Sequence, residues 1–147
     1  MNRGKQVETE WIMLADRVEV INNKLYVMGG GWETLTVNAV PAQHAVAVAV
    51  AFSVPWSETN QQHDIQIEIL DQESKSLVKV DGQIEVGHPS GVPFGQGQHI
   101  QMGVNLGLTI EKLGPHSIAT RIEGQESKRI TFNVVAGPGL TPRLPST

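Results

Sequence analysis

Between His44 and Val54 the chain alternates without a break: Val46, Val48, Val50, Phe52 and Val54 fall on one parity, and Ala45, Ala47, Ala49, Ala51 and Ser53 on the other. Only an extended strand places every second side chain on one side, so this stretch commits the chain to a sheet. The large parity is a core face. The small parity lacks the long polar or charged side chains that an outward face ordinarily carries. So smooth a face lets another layer approach closely. Ala45, Ala47, Ala49 and Ala51 are therefore read as a homo-oligomer face, with coverage by the chain's own second layer as the alternative.

The same two-residue period recurs in Trp11–Val20, His63–Asp71, Leu77–Val86, His99–Ile110 and the closing hairpin Ile118–Val134, which turns at Gly124-Gln125. In His99–Ile110 the large residues Ile100, Met102, Val104, Leu106 and Leu108 point one way. Gln101, Gly103, Asn105 and Gly107 point the other, and make a second flat, uncharged face. Asp81-Gly82 interrupts Leu77–Val86, which predicts a bulge or hairpin there. These runs add up to an all-β chain of about eight strands. The architecture expected is an immunoglobulin-like antiparallel β-sandwich, with a β-barrel as the alternative. Residues 1–10 read as a polar N-terminal segment, 11–135 as one domain, and 136–147 as a Pro/Gly-rich tail with too few large apolar groups to fold.

Lys24 to Val37 reads KLYVMGGGWETLTV. Leu25 to Met28 form a short strand after Asn22-Asn23, a pair suited to a tight turn. Three glycines then weaken a regular ladder, and alternation resumes at Trp32. The reading is a strand that bends at Gly29–Gly31 and serves both sheets. A phosphate loop is excluded, since no Lys-Ser/Thr follows the glycines and no helix is offered.

Ala15-Asp16 followed by INNKLYVMGGGWETLTV, the polar PWSETNQQH loop, the acidic turn at Asp71, IEVGHPSG and the closing Gly-Pro hairpin together resemble a family of uncharacterised bacterial proteins. The similarity runs from Trp11 to Val135. It implies a single all-β domain in a bacterial cytoplasm and transfers no functional residue. Where the family pattern has an aromatic after the closing Gly-Pro, this chain has His116-Ser117.

Composition excludes several classes of function. A net charge of −4 and an aromatic content of 5% do not make the basic, ring-studded face that nucleic acid needs. With no cysteine there is neither a disulfide framework nor a thiolate metal site. No apolar run approaches the roughly 20 residues of a membrane helix. Residues 1–10 also lack the apolar centre of a signal peptide, so the expected setting is cytoplasmic, with no membrane partner.

The five histidines, His44, His63, His88, His99 and His116, are nowhere spaced to put two ligands on one face. No Gly-x-Ser-x-Gly elbow accompanies a serine. Glu8/Glu10 and Asp71/Glu73 fall in a tail and a turn, where carboxylates are solvated. Neither a catalytic residue, nor a metal, nor a cofactor is expected. What remains is a non-enzymatic binding or assembly module, either homo-oligomeric or bound to an unidentified protein partner. The alternative is a carbohydrate or small-ligand binder. Its platform would be Trp32 and Trp56, with Trp11, beside the Gly/Pro loop Gly87–Gln98 that carries His88 and Phe94. Large rings also dominate sandwich cores, so each tryptophan fits a core position as well.

Overall fold

The computed structural model describes residues 6–88 and 90–138. The alternating stretch forms β4 (Ala42–Val54), an inner strand of a four-stranded sheet. That sheet is ordered β2 (Lys24–Gly30), β1 (Glu8–Ile21), β4, β7 (Gln98–Ile110). Facing it is a five-stranded sheet ordered β3 (Thr34–Val37), β9 (Gln125–Ala136), β8 (Gly114–Ile122), β5 (Gln62–Leu70), β6 (Ser76–Glu85). The chain is an all-β sandwich with no α-helix among the described residues. Both sheets stay open, so the barrel alternative does not hold. Pairing is antiparallel except that β3 runs parallel to β9, a departure from the purely antiparallel expectation. The core lies on the face that parity predicts: Val46, Val48, Val50, Phe52 and Val54 are buried against Ile65, Ile67 and Ile69 of β5 and Ile118 of β8. One buried polar contact bridges the layers, Thr9 Oγ1 to Thr120 Oγ1 at 2.8 Å.

The glycine corner carries the chain from one sheet to the other as expected, but as two strands, β2 and β3, and not as one bent strand. Asn22 and Asn23 both take positive φ, 50° and 61°, which gives the tight turn joining β1 to β2. β2 belongs to the first sheet and β3 to the second, so the chain changes layers at Gly29–Glu33. At Gly29, with φ of +59°, a Cβ would run into the Asp16 carboxylate. Bare backbone is what lets the chain turn so close to β1.

The alanine face is covered by the chain itself, the alternative to an oligomer contact that the sequence left open. Register sets three rows across the outer side of the first sheet: Trp11–Ala51–Gln101, Met13–Ala49–Gly103 and Ala15–Ala47–Asn105. β1 pairs with β4 only as far as Ala15, after which it leaves with β2 as a separate hairpin. This hairpin folds back over the rows. Val18, Leu25 and Val27 pack onto Ala15, Ala47 and Ala49. Ala47, Ala49 and Ala51 are 0%, 0% and 3% exposed within the single chain, and of the four alanines only Ala45 is open to solvent. The small side chains are required because a third layer of the same chain lies on them. The second flat face has the same occupant: a Cβ at Gly103 would sit 2.7 Å from Val18 Cγ2.

Other boundaries shift slightly. β1 starts at Glu8, with Val7 and Thr9 buried, inside the segment that reads as merely polar. β6 passes through Asp81-Gly82 unbroken, and the irregularity lies in β5 at Ile69/Leu70 instead. At the other end Ala136 pairs with Val37, and the Gly137 amide donates to the Val37 carbonyl at 2.8 Å, beyond the Val135 boundary read from composition. Residues 139–147 of the expected tail, and 1–5, lie outside the described residues. Among the described residues no helix is long and apolar enough to cross a membrane.

Candidate functional site

One end of the sandwich gathers the end of β4, the starts of β5 and β7, the end of β6 and the Gly/Pro loop between β6 and β7. Pro55, with φ of −64°, leaves β4 and starts a 3-10 turn, Trp56–Glu58. Thr59 closes it, its amide donating to the Trp56 carbonyl at 3.2 Å and its hydroxyl donating to the same carbonyl at 2.6 Å. Asn60, with φ of 59°, donates its amide to the Val86 carbonyl at 2.7 Å, which ties the turn to the exit of β6. Gln98 Nε2 donates to the Gly87 carbonyl and ties in the start of β7.

This scaffold lays His88 flat on Trp56: the ring centroids are 3.8 Å apart and the planes 8° from parallel. Both imidazole nitrogens are engaged as well. Nε2 meets Thr59 Oγ1, whose own proton is committed to the Trp56 carbonyl, so the ring donates there. Nδ1 accepts from Asn60 Nδ2 at 3.5 Å. Phe94 leans on Trp56 at 4.8 Å and 53° while staying 88% exposed. Beside this cluster lies a cleft of about 470 Å³. It is lined by Asn23 at the tip of the β1–β2 hairpin, by Glu85 to His88 and by Gln98 to Ile100.

Of the site residues expected from sequence, the fold brings Trp56, His88 and Phe94 together and leaves Trp32 out. Trp32 is half-buried and meets Phe132 edge-on at 6.3 Å, and its enclosed indole N–H has no acceptor among the described residues. With Trp11 and Met13 it lines a separate groove of about 300 Å³. The single platform of Trp32 and Trp56 that the sequence suggests does not form, because β3 carries the chain to the opposite sheet immediately after Trp32.

Asn23, Glu85, Gln98 and His99 line the cleft without being singled out by any motif. Asn23 has a sufficient explanation in its turn, and period-two patterning is silent about which strand ends meet. His99 Nδ1 pairs with Glu10. A second hollow at this end, about 520 Å³, is polar and acidic, lined by Glu8, Glu58, Glu123 and Glu126. His63 lies at its wall, held by the Glu58 carbonyl at 2.7 Å and by Glu123 at 3.3 Å. His44 bonds the Ala45 carbonyl at 3.0 Å, and buried His116 bonds the Gly114 carbonyl at 2.9 Å while packing on Phe132. Among the described residues no three His, Asp or Glu side chains are grouped so as to hold a metal ion.

No curated protein matches the chain. A protein-family model matches residues 10–135, nearly the whole sandwich. The chain therefore belongs to DUF6941, a family of unknown function.

Proposed function

We propose that this chain is a non-enzymatic binding module whose ligand site is the loop end. The observation that carries the reading is the Trp56–His88 stack beside the 470 Å³ cleft. That volume falls in the range of small-ligand sites, about 300–1,000 Å³. Polar contacts at both nitrogens of His88, to Thr59 and Asn60, hold the ring in place on Trp56 as a fixed surface. A cytoplasmic setting is part of the proposal and is supported by the absence of cysteine.

A thermal-shift screen of small metabolites against the wild type, His88→Ala and Trp56→Ala tests it. A ligand at about 100 times its Kd adds about 2.7 kcal/mol to the wild type. Stabilisation confined to the wild type supports the site. Equal stabilisation of all three proteins would place the ligand elsewhere.

An assembly role keeps one support once the alanine face is covered. Ile21, Tyr26 and Met28 are 49%, 51% and 67% exposed on the outer hairpin, beside the open edge of β2. Light scattering on the wild type and Met28→Lys tests this second reading, since an oligomer on that face should dissociate in the variant.

A further inference from the structure

We infer that the cleft takes a neutral carbohydrate, with the sugar's C–H face laid on the free face of His88. This rests on the binding reading above and adds the class of ligand.

His88 is enclosed on three sides. Trp56 covers one face, Thr59 and Asn60 hold the two nitrogens, and the residue nevertheless lines the cleft. With those contacts made, the other face is the part of the ring left for a ligand. A ring fixed in this way is a stacking surface already oriented before any ligand arrives, so binding loses little side-chain freedom there.

The polar groups around it decide what stacks there. Asn23 and Gln98 are neutral amides, and Gln98 commits one N–H to Gly87, which leaves its Oε1 as an acceptor. Glu85 adds a carboxylate that accepts from hydroxyls. Among the described residues no lysine or arginine lines the cleft, so nothing there matches a phosphate or carboxylate ligand. His99 is already paired with Glu10. A planar base would be gripped by rings on both of its faces, and here only one stacking face is offered. A pyranose has one apolar C–H face and a rim of hydroxyls that both donate and accept, which suits a single ring surrounded by amides and a carboxylate. Val86 and Ile100 supply apolar contact beside it.

The test uses the full chain on an array of immobilised neutral glycans, followed by ¹⁵N-edited NMR titration with the best soluble glycan, and in parallel with inorganic phosphate, glucuronate and adenosine. The inference expects saturable shifts of the Asn23 and Gln98 side-chain amides and the Trp56 indole with the neutral glycan alone. His88→Ala should weaken binding about tenfold, the scale of one aromatic stacking contact. His88→Phe, which keeps a ring face and discards both nitrogens, should keep most of the affinity. If His88→Ala does not fold, Asn23→Gly, which keeps the positive φ of the turn and removes the side-chain amide, should weaken binding without disturbing the core. No binding to any neutral glycan overturns the inference. The same shifts produced by adenosine or an anion also overturn the carbohydrate class, while leaving the loop end as a binding site. Loss of glycan binding in His88→Phe as complete as in His88→Ala would show that the nitrogens, and not the face, are recognised, and would overturn the stacking geometry.

Discussion

Asn105 holds Val18 by both its backbone amide and its carbonyl: the Val18 amide donates to Asn105 Oδ1 at 3.0 Å, and Asn105 Nδ2 donates to the Val18 carbonyl at 2.9 Å. A side chain of β7 thereby stands in for a neighbouring strand. It latches the β1–β2 hairpin across β4, which lies between them in the sheet. The latch bears on the candidate site because Asn23, at the tip of this hairpin, lines the cleft.

Asn105→Ala removes both bonds. The loss should be about 1–2 kcal/mol, which lowers the melting temperature by about 3–8 °C for a domain of this size. Hydrogen exchange should accelerate over residues 17–28 and stay slow in β4. Equal acceleration throughout would mean that the hairpin is no separate unit.

Ala49→Glu should unfold the protein or strip off the hairpin. It places a charge at a position 0% exposed and surrounded by apolar groups, a cost of about 3 kcal/mol or more. Ala45→Glu, on the same parity but open to solvent, should stay within about 0.5 kcal/mol of the wild type. Urea denaturation of the two variants separates a face covered by the chain itself from one covered by a second subunit.

Two glycines of β7 should respond oppositely to alanine. Gly103→Ala drives a methyl into Val18 and should cost about 1–3 kcal/mol. At Gly107 a Cβ would meet no described atom within 4 Å, and φ is not positive, so Gly107→Ala should be neutral or stabilise by up to about 1 kcal/mol. Thermal melts of the pair measure how closely the hairpin sits.

Glu68 should make stability depend on acid. It is buried on the outer side of the second sheet, where the Ser76 hydroxyl and then the Arg121 guanidinium hold its carboxyl below the ordinary value of 4.5, against the opposing effect of burial. At moderately acid pH the group binds fewer protons in the folded than in the unfolded chain. Its contribution is therefore complete above the unfolded value and is lost as pH falls through the lower folded value. Glu68→Gln should be less stable than the wild type at pH 7, and the gap should narrow as pH falls below the ordinary carboxyl value of 4.5. A gap that does not change with pH would assign the effect to packing.

His44–Val54 determined a strand and its core face before any fold was known, because side-chain parity along an extended chain is a local property. The same holds for the Asn22-Asn23 turn, where the positive φ of both residues favours Asn, and for the breaker signal of the glycine corner. His88 and Phe94 share one breaker-rich loop and were legible together, whereas Trp56 comes from the separate turn after β4 and is paired by sequence with Trp32, which the fold leaves out. Parity could not say what lies on the alanine side. That depended on β1 leaving β4 after Ala15 and on Gly103 and Asn105, far along the chain in β7, being positioned to receive Val18. Trp32 went to a different wall of the molecule for a similar reason, since the sheet that a strand joins is set by long-range pairing. Local stereochemistry writes the strands and turns into the sequence, whereas the partner of each face is decided only when segments distant in the chain compete to bury it.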